Sequence, residues 1–249
     1  MDPSLIPPLD IRLGVGPFYE EESYVMWGQY EFNRLVKLGG LTPTDSVLDI
    51  GCGCGRVAIH IADYLSGGQY VGLDNLKPLI DWSNANIAPK YPQCKFLHVD
   101  VYSGEYNKAG SIQANTFRFP FPDNQFSFVL AVSLFTHMFL PDVNNYLREI
   151  SRILRKDGRL FATFFLLREN MTINIGGQPI TYAPARPEQK SLAFNRDTPE
   201  KMIAHNENDV LQLYEKAGFE KTFVEYGNWN VGQPQFPKPY QDYLVMKKK

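Results

Sequence analysis

Apolar residues follow two alternating rhythms along the chain. Short, nearly continuous apolar runs stand at 46–50, 70–73, 95–99, 126–132 and 159–166. Each reads as a β-strand, and the run at 126–132 (FSFVLAV) suits a strand buried on both faces. Between the runs, apolar positions recur at helical spacing. Val57, Ile61, Ala62 and Leu65 share one face, as do Val143, Tyr146, Leu147, Ile150, Ile153 and Leu154. Residues 24–38 read as a helix ended by Gly39-Gly40, Pro78 opens another that reaches about residue 88, and 208–217 is closed by Gly218. Two late strands fall near 221–226 and 240–246, with an aromatic, Pro-rich loop between them. Strands alternating with helices over short connections predict a parallel sheet covered on both sides. Residues 1–20 read as an extended lead-in. Residues 168–206 show no period, and that length marks a lid or elements that the pattern does not reveal. No internal repeat is visible.

Composition narrows the function classes. The 249 residues suffice for a sizeable core, and 44% hydrophobic with 21% charged residues is ordinary for a globular protein. A formal net charge of -2 without a basic stripe argues against a nucleic-acid partner. Lys247-Lys248-Lys249 reads as a solvated end. No apolar run is long enough for a membrane span, and residues 1–10 lack the basic flank and apolar stretch of a signal peptide. Cys52, Cys54 and Cys94 are an odd count in a long chain, which fits a reducing, cytoplasmic setting better than a disulfide framework.

The sharpest motif is Asp49-Ile50-Gly51-Cys52-Gly53-Cys54-Gly55-Arg56, set between a strand and a helix. Glycines there permit a tight turn and close approach of a ligand to the backbone. A ligand-free turn uses glycines the same way, so the turn alone says little. Asp49 adds direction, because a carboxylate two residues ahead of the first glycine suits a cation and repels a pyrophosphate. Asp74 and Asp100 close the next two strands. Helix capping explains any one such Asp. Three at successive strand ends point to one shared edge, where ligands of open α/β sheets bind. Asp74 can accept from both ribose hydroxyls and Asp100 from an adenine amino group.

VLDIGCGCGR (47–56), YVGLDNL (70–76), FLHVDV (96–101), FPFPDNQFSFVLAVSLFTHM (119–138) and YLREISRILRKDGRLFATFF (146–165) together resemble the successive motifs of the class I S-adenosylmethionine (SAM)-dependent methyltransferases. The resemblance covers about 45–166 and runs more loosely to the C-terminus. It implies an α/β fold with a seven-stranded, mostly parallel sheet of order 3-2-1-4-5-7-6, the last strand antiparallel, with helices on both faces. It implies SAM as cofactor and S-adenosylhomocysteine as its product. By resemblance, Asp49, Gly51, Cys52 and Gly53 line the methionine end, Asp74 with Asn75 holds the ribose, Asp100 with Val101 holds the adenine, and Ser133 faces the sulfonium. Cys54 is less usual at its place. A Cys-x-Cys metal site needs further ligands that the sequence does not offer, so packed thiols are the reading and no metal is expected.

Methyl transfer from a sulfonium asks mainly for alignment and exclusion of water, plus a base where the acceptor is a hydroxyl. His137, just after the fourth strand, is the candidate base, and a capping or packed histidine is the competing account. His98, inside a strand, reads as structural. His60 and His205 have no supporting pattern. Acceptor contacts are expected from the N-terminal segment (Phe18, Tyr19, Tyr24 and Trp27), with Tyr19 and Trp27 foremost, from 102–122, from 168–206 and from His137. The expected division is 1–40, a lead-in and helix capping the substrate, and 41–249, the cofactor domain with an insertion at 168–206. A small-molecule methyltransferase acting on oxygen is the leading reading, and the sequence is silent on oligomeric state. Alternatives are a nicotinamide-dependent oxidoreductase, which wants glycine where Arg56 stands, and a non-catalytic subunit of the same fold.

Overall fold

The alternating runs close into one sheet in the computed structural model, which describes residues 2–175, 178–181, 191–194, 197–231 and 238–249. The strands are β1 (Ser46–Ile50), β2 (Gln69–Asp74), β3 (Cys94–His98), β4 (Phe126–Ala131), β5 (Leu154–Phe164), β6 (Phe219–Glu225) and β7 (Asp242–Lys248). Their spatial order is β3-β2-β1-β4-β5-β7-β6. Pairing is parallel from β3 to β5, and β7 runs antiparallel to both β5 and β6. This is the order that the sequence motifs imply.

Alternate side chains of each strand enter opposite cores, as a two-residue period requires. Leu48, Ile50, Val129, Ala131, Leu160 and Leu244 face helices α4 (Leu140–Ile153) and α5 (Glu207–Lys216). Val47, Phe128, Leu130, Phe161, Tyr243 and Val245 face α1 (Glu21–Lys37), α2 (Ala58–Tyr64) and α3 (Lys77–Asn86). β3 is an edge strand with alternate residues exposed, whereas β4 is buried almost throughout. The chain moves outward from β1 to β3 and then crosses back to β4. The carboxyl ends of β1 and β4 therefore flank the crevice where ligands of such sheets bind.

Three local expectations are corrected. Residues 1–20 are not extended: they hold short helical turns at Pro3–Leu5, Leu9–Arg12 and Leu13–Val15. Arg12, 5% exposed, organises them by donating to the carbonyls of Pro7, Phe18 and Tyr19 and to Glu21. Leu154 begins β5 rather than ending α4, so the chain enters the strand without a loop, and Asp157 takes a φ of 62° within β5, where its register against β4 shifts. Lys247 and Lys248 belong to β7, where Lys247 pairs with Asp157 at 2.7 Å.

The stretch 168–206 carries strands at Thr172–Ile175, Gln178–Thr181, Ser191–Ala193 and Ile203–Asn206, and part of it lies outside the described residues. Ile203–Asn206 pairs in parallel with Leu166–Leu167 and antiparallel with Ser191–Ala193. Helix α1 is tied to the far side of the sheet. The Tyr243 hydroxyl donates to Glu31 at 2.6 Å, and Arg34 pairs with Glu225 while lying 4.1 Å from the Tyr243 ring centroid. Among the described residues no helix is long and apolar enough to cross a membrane.

Candidate active site

A cavity of about 590 Å³ opens at the carboxyl ends of β1, β2 and β4. Its volume is that of an ordinary small-molecule site. Asp49, Gly51, Cys52, Gly53, Asp74 and Asn75 line one end, and Val101, Ser133 and His137 also reach it.

The glycine turn is shaped by left-handed backbone. Gly51 and Gly53 have φ of 81° and 56°, a region that side chains disfavour. A Cβ on Gly53 would also stand 2.3 Å from Val15 Cγ1, so the N-terminal segment rests directly on this turn. Through that contact Gly14, Val15 and Gly16 become part of the cavity wall.

Asp49 lies on the face covered by α1–α3 and is 4% exposed. Burial pushes its carboxyl up to about 7; the Tyr70 hydroxyl, donating at 2.7 Å, opposes that shift, and the nearby Asp74 charge adds to it. Asp74 accepts from Gly53 N at 2.8 Å through one oxygen and from Leu76 N at 2.8 Å through the other. Burial raises its pKa against these bonds. Each oxygen keeps a lone pair for a further donor. Two carboxyls held away from water beside a bare backbone turn suit a ligand that brings positive charge and hydroxyl donors. The residues present therefore fit an adenosine that carries an aminoacyl sulfonium.

Ser133, two residues past the end of β4, has a φ of 56°, an uncommon value for a serine. Its N–H donates to Thr163 Oγ1 at 2.7 Å and its hydroxyl to Gln241 at 3.1 Å. The turn Phe135–His137 follows. His137 Nδ1 lies 2.8 Å from the Glu200 carbonyl, which can only accept, so Nδ1 carries the proton. Nε2 then presents its lone pair, and the Tyr106 hydroxyl donates to it at 3.3 Å. Burial lowers the imidazole pKa, and the bond to Glu200 opposes that shift. The ring is neutral near pH 7, with its basic nitrogen engaged by a residue of the cavity wall.

Five expected site residues, Asp100, Phe18, Tyr19, Tyr24 and Trp27, are not in the lining. The Asp100 carboxylate turns to its own loop, accepting from Ser111 N at 3.1 Å, Ser111 Oγ at 2.6 Å and Asn107 at 3.3 Å. These bonds hold its pKa below the usual carboxylate range. Tyr19 is 64% exposed and uses its carbonyl to bind Arg12. Trp27 packs edge-on against Tyr30 at 5.2 Å on α1. Phe18 and Tyr24 pack against each other, with the Tyr24 hydroxyl at Cys54. Cys52 fits over Gly72 and all three thiols are buried, so the packed-thiol reading describes their surroundings. Among the described residues no group of three or more His, Cys, Asp or Glu is gathered as metal ligands are.

The sequence reading missed Tyr106, Glu200 and Gln241, which also line the cavity. Tyr106 and Glu200 lie within stretches expected to contribute, but no local signal singles them out. Phe117, Phe119, Met138 and Tyr146 supply an apolar wall.

Comparison with known proteins agrees with this geometry. Residues 48–162 match the family model described as "Methyltransferase domain". Over that stretch the chain is similar to SAM-dependent methyltransferases. It is 28% identical over 179 residues to a sterol 24-C-methyltransferase of Eremothecium gossypii, covering 72% of this chain and 40% of that protein. It is 26% identical over 149 residues to a 2-phytyl-1,4-naphtoquinone methyltransferase of Trichormus variabilis, covering 58% of each. The chain thus spans about half the length of these curated relatives. The crystal structure of the [4+2]-cyclase SpnF shares the fold at a TM-score of 0.59 and 17% identity, covering 98% of this chain and 93% of that one. The fold thus hosts more than one reaction, and the reaction has to be argued from the site.

Proposed function

We propose that this chain transfers a methyl group from SAM to an oxygen of a small-molecule acceptor, with His137 as the base. One observation carries the reading: the acid-flanked glycine turn and the lone pair of His137 Nε2 belong to the same cavity. Asp49 and the Gly51–Gly53 backbone would hold the methionine end, Asp74 with Asn75 the ribose, and Val101 the adenine, while Ser133 faces the sulfonium. When bound, SAM supplies a methyl group already activated for displacement. The chain's own work is to align an acceptor hydroxyl, exclude water and receive the proton on Nε2. The N-terminal turn at 14–16 would cap the cofactor end, and the apolar wall of Phe117, Phe119, Met138 and Tyr146 would take the body of the acceptor. The two curated relatives are named for methylating a sterol and a phytyl-naphthoquinone, and such apolar acceptors suit that wall. The sterol relative's name, a 24-C-methyltransferase, also favours a second reading, transfer to carbon, in which Nε2 would take a proton released after the new bond forms. A nicotinamide site gains no support from Asp49 or Arg56. A cytoplasmic site of action accords with three unpaired, buried thiols.

The test pairs binding with transfer. Calorimetry should show affinity for S-adenosylhomocysteine and none for NAD. Labelled methyl from SAM should appear in products from a panel of phenols and hydroquinones. His137→Ala should lower turnover by roughly 10²- to 10⁴-fold with S-adenosylhomocysteine affinity unchanged. Undiminished turnover in that variant removes the base, and absence of S-adenosylhomocysteine binding removes the cofactor.

A further inference from the structure

Among the described residues of 168–206, Glu200 reaches the site. Glu200 Oε2 accepts from Gly104 N at 2.5 Å and from the Ser103 hydroxyl at 3.1 Å. A Cβ on Gly104 would stand 3.0 Å from Glu200 Oε1, so the glycine is fitted to the carboxylate. The Ser103 hydroxyl in turn accepts from Tyr106 N at 3.2 Å. The Tyr106 ring meets the His137 ring edge-on at 5.1 Å, and its hydroxyl reaches Nε2. The Glu200 carbonyl closes the circuit on Nδ1. Both nitrogens of the imidazole are thus set by one circuit through Glu200, Ser103 and Tyr106.

The circuit is anchored on both sides. The same loop is tied at its base by Asp100, through Asn107 and Ser111. Beyond Glu200 the chain enters the strand Ile203–Asn206, whose His205 is fully buried. His205 Nε2 lies 3.3 Å from the Phe135 carbonyl, in the same turn as His137, and Nδ1 lies 2.8 Å from Ser191 Oγ.

Resting on the reading of His137 as the base, we propose that Glu200 is a positioning residue: its side chain clasps the 103–104 turn and so holds its own carbonyl where it fixes the tautomer of His137. An acceptor hydroxyl giving its proton to Nε2 takes over the place of the Tyr106 hydroxyl. The clasp therefore sets where that proton leaves. One carboxylate oxygen accepts both bonds, so a single amide oxygen can replace it. The clasp works by geometry, not by charge.

The test uses the full chain labelled with ¹⁵N-histidine. Wild type should show His137 as the Nδ1–H tautomer, with a protected Gly104 amide. Glu200→Gln should keep both features. Glu200→Ala should release the tautomer and raise Gly104 exchange roughly tenfold or more, the change expected on losing a bond to a charged acceptor. Gly104→Ala, whose glycine has no left-handed φ, presses on the carboxylate without deleting it and should release the tautomer in part. It serves should Glu200→Ala fail to fold. An unchanged tautomer in folded Glu200→Ala, or in Gly104→Ala should the first fail to fold, overturns the proposal, as does a Gln variant that behaves like Ala. S-adenosylhomocysteine affinity is read on the same samples. Its absence from wild type with the tautomer intact counts against methyl transfer and not against the clasp.

Discussion

Asp49 concentrates the cost and the use of a buried acid in one side chain. Burial raises its pKa to about 7, so ionisation opposes folding. The sign follows from linkage: its contribution to stability is complete below the unfolded value near 3.8 and is lost as pH rises through 7. A bound cation reverses this by favouring the carboxylate. The thermal shift produced by SAM should therefore be larger at pH 8 than at pH 6, and SAM affinity should fall by up to about tenfold per unit below pH 7. Asp49→Asn should flatten both profiles, as read by scanning fluorimetry and calorimetry across pH. Gly53→Ala combines a left-handed φ with a Cβ driven into Val15. It should cost about 1–2 kcal/mol from the backbone alone and weaken SAM binding by displacing residues 14–16, measured by urea unfolding and titration. Asp49, Asp74, Ser133 and His137 reach the cavity because each sits at a strand end or in the turn after it. Asp100, Tyr19 and Trp27 turn away from the cavity for one shared reason. Sequence gives a residue's position along an element, whereas the packing of distant loops decides which way its side chain turns.

Elements meet at a few buried polar junctions, and Asp242 is the tightest of them. At the start of β7 it accepts from Leu166 N, Gly227 N and Trp229 Nε1, each at 2.7 Å, and it is fully buried. It joins the start of β7 to the short strand Leu166–Leu167 and to the 227–229 turn. Asp242→Ala would leave three donors without an acceptor and should cost about 3–5 kcal/mol, seen as a lower urea midpoint at an unchanged slope. Strands β1, β2, β4 and β5 were legible as apolar runs because a central strand is buried on both faces, and β3, at the edge, was legible from its alternation. The strands within 168–206 were not, being short and paired with each other or with Leu166–Leu167 outside the main sheet. The helical turns of residues 3–15 escaped notice for a similar reason: buried Arg12, not an apolar period, organises the chain there.

At the scale of the molecule, the cavity joins pieces distant in sequence. Residues 14–16, the β1, β2 and β4 ends, Glu200 and Gln241 all reach it. A cofactor that bridges them should stabilise the chain as a unit. SAM at a hundred times its Kd should add about 2.7 kcal/mol, a rise in Tm of roughly 5–10 °C for a domain of this size. NAD at the same concentration should give no shift. The sequence by itself determined the alternation of strands and helices and the acid-flanked glycine turn, since these rest on local periodicity and on residues fixed at strand ends, and the resemblance of its motifs to the class I methyltransferases implied the sheet order. Tertiary structure alone decided that Asp100 serves its own loop, that Glu200 joins Tyr106 to His137, and which imidazole nitrogen carries the proton. Those outcomes depend on hydrogen bonds between segments far apart in the chain, and no local pattern encodes which donor will find which acceptor.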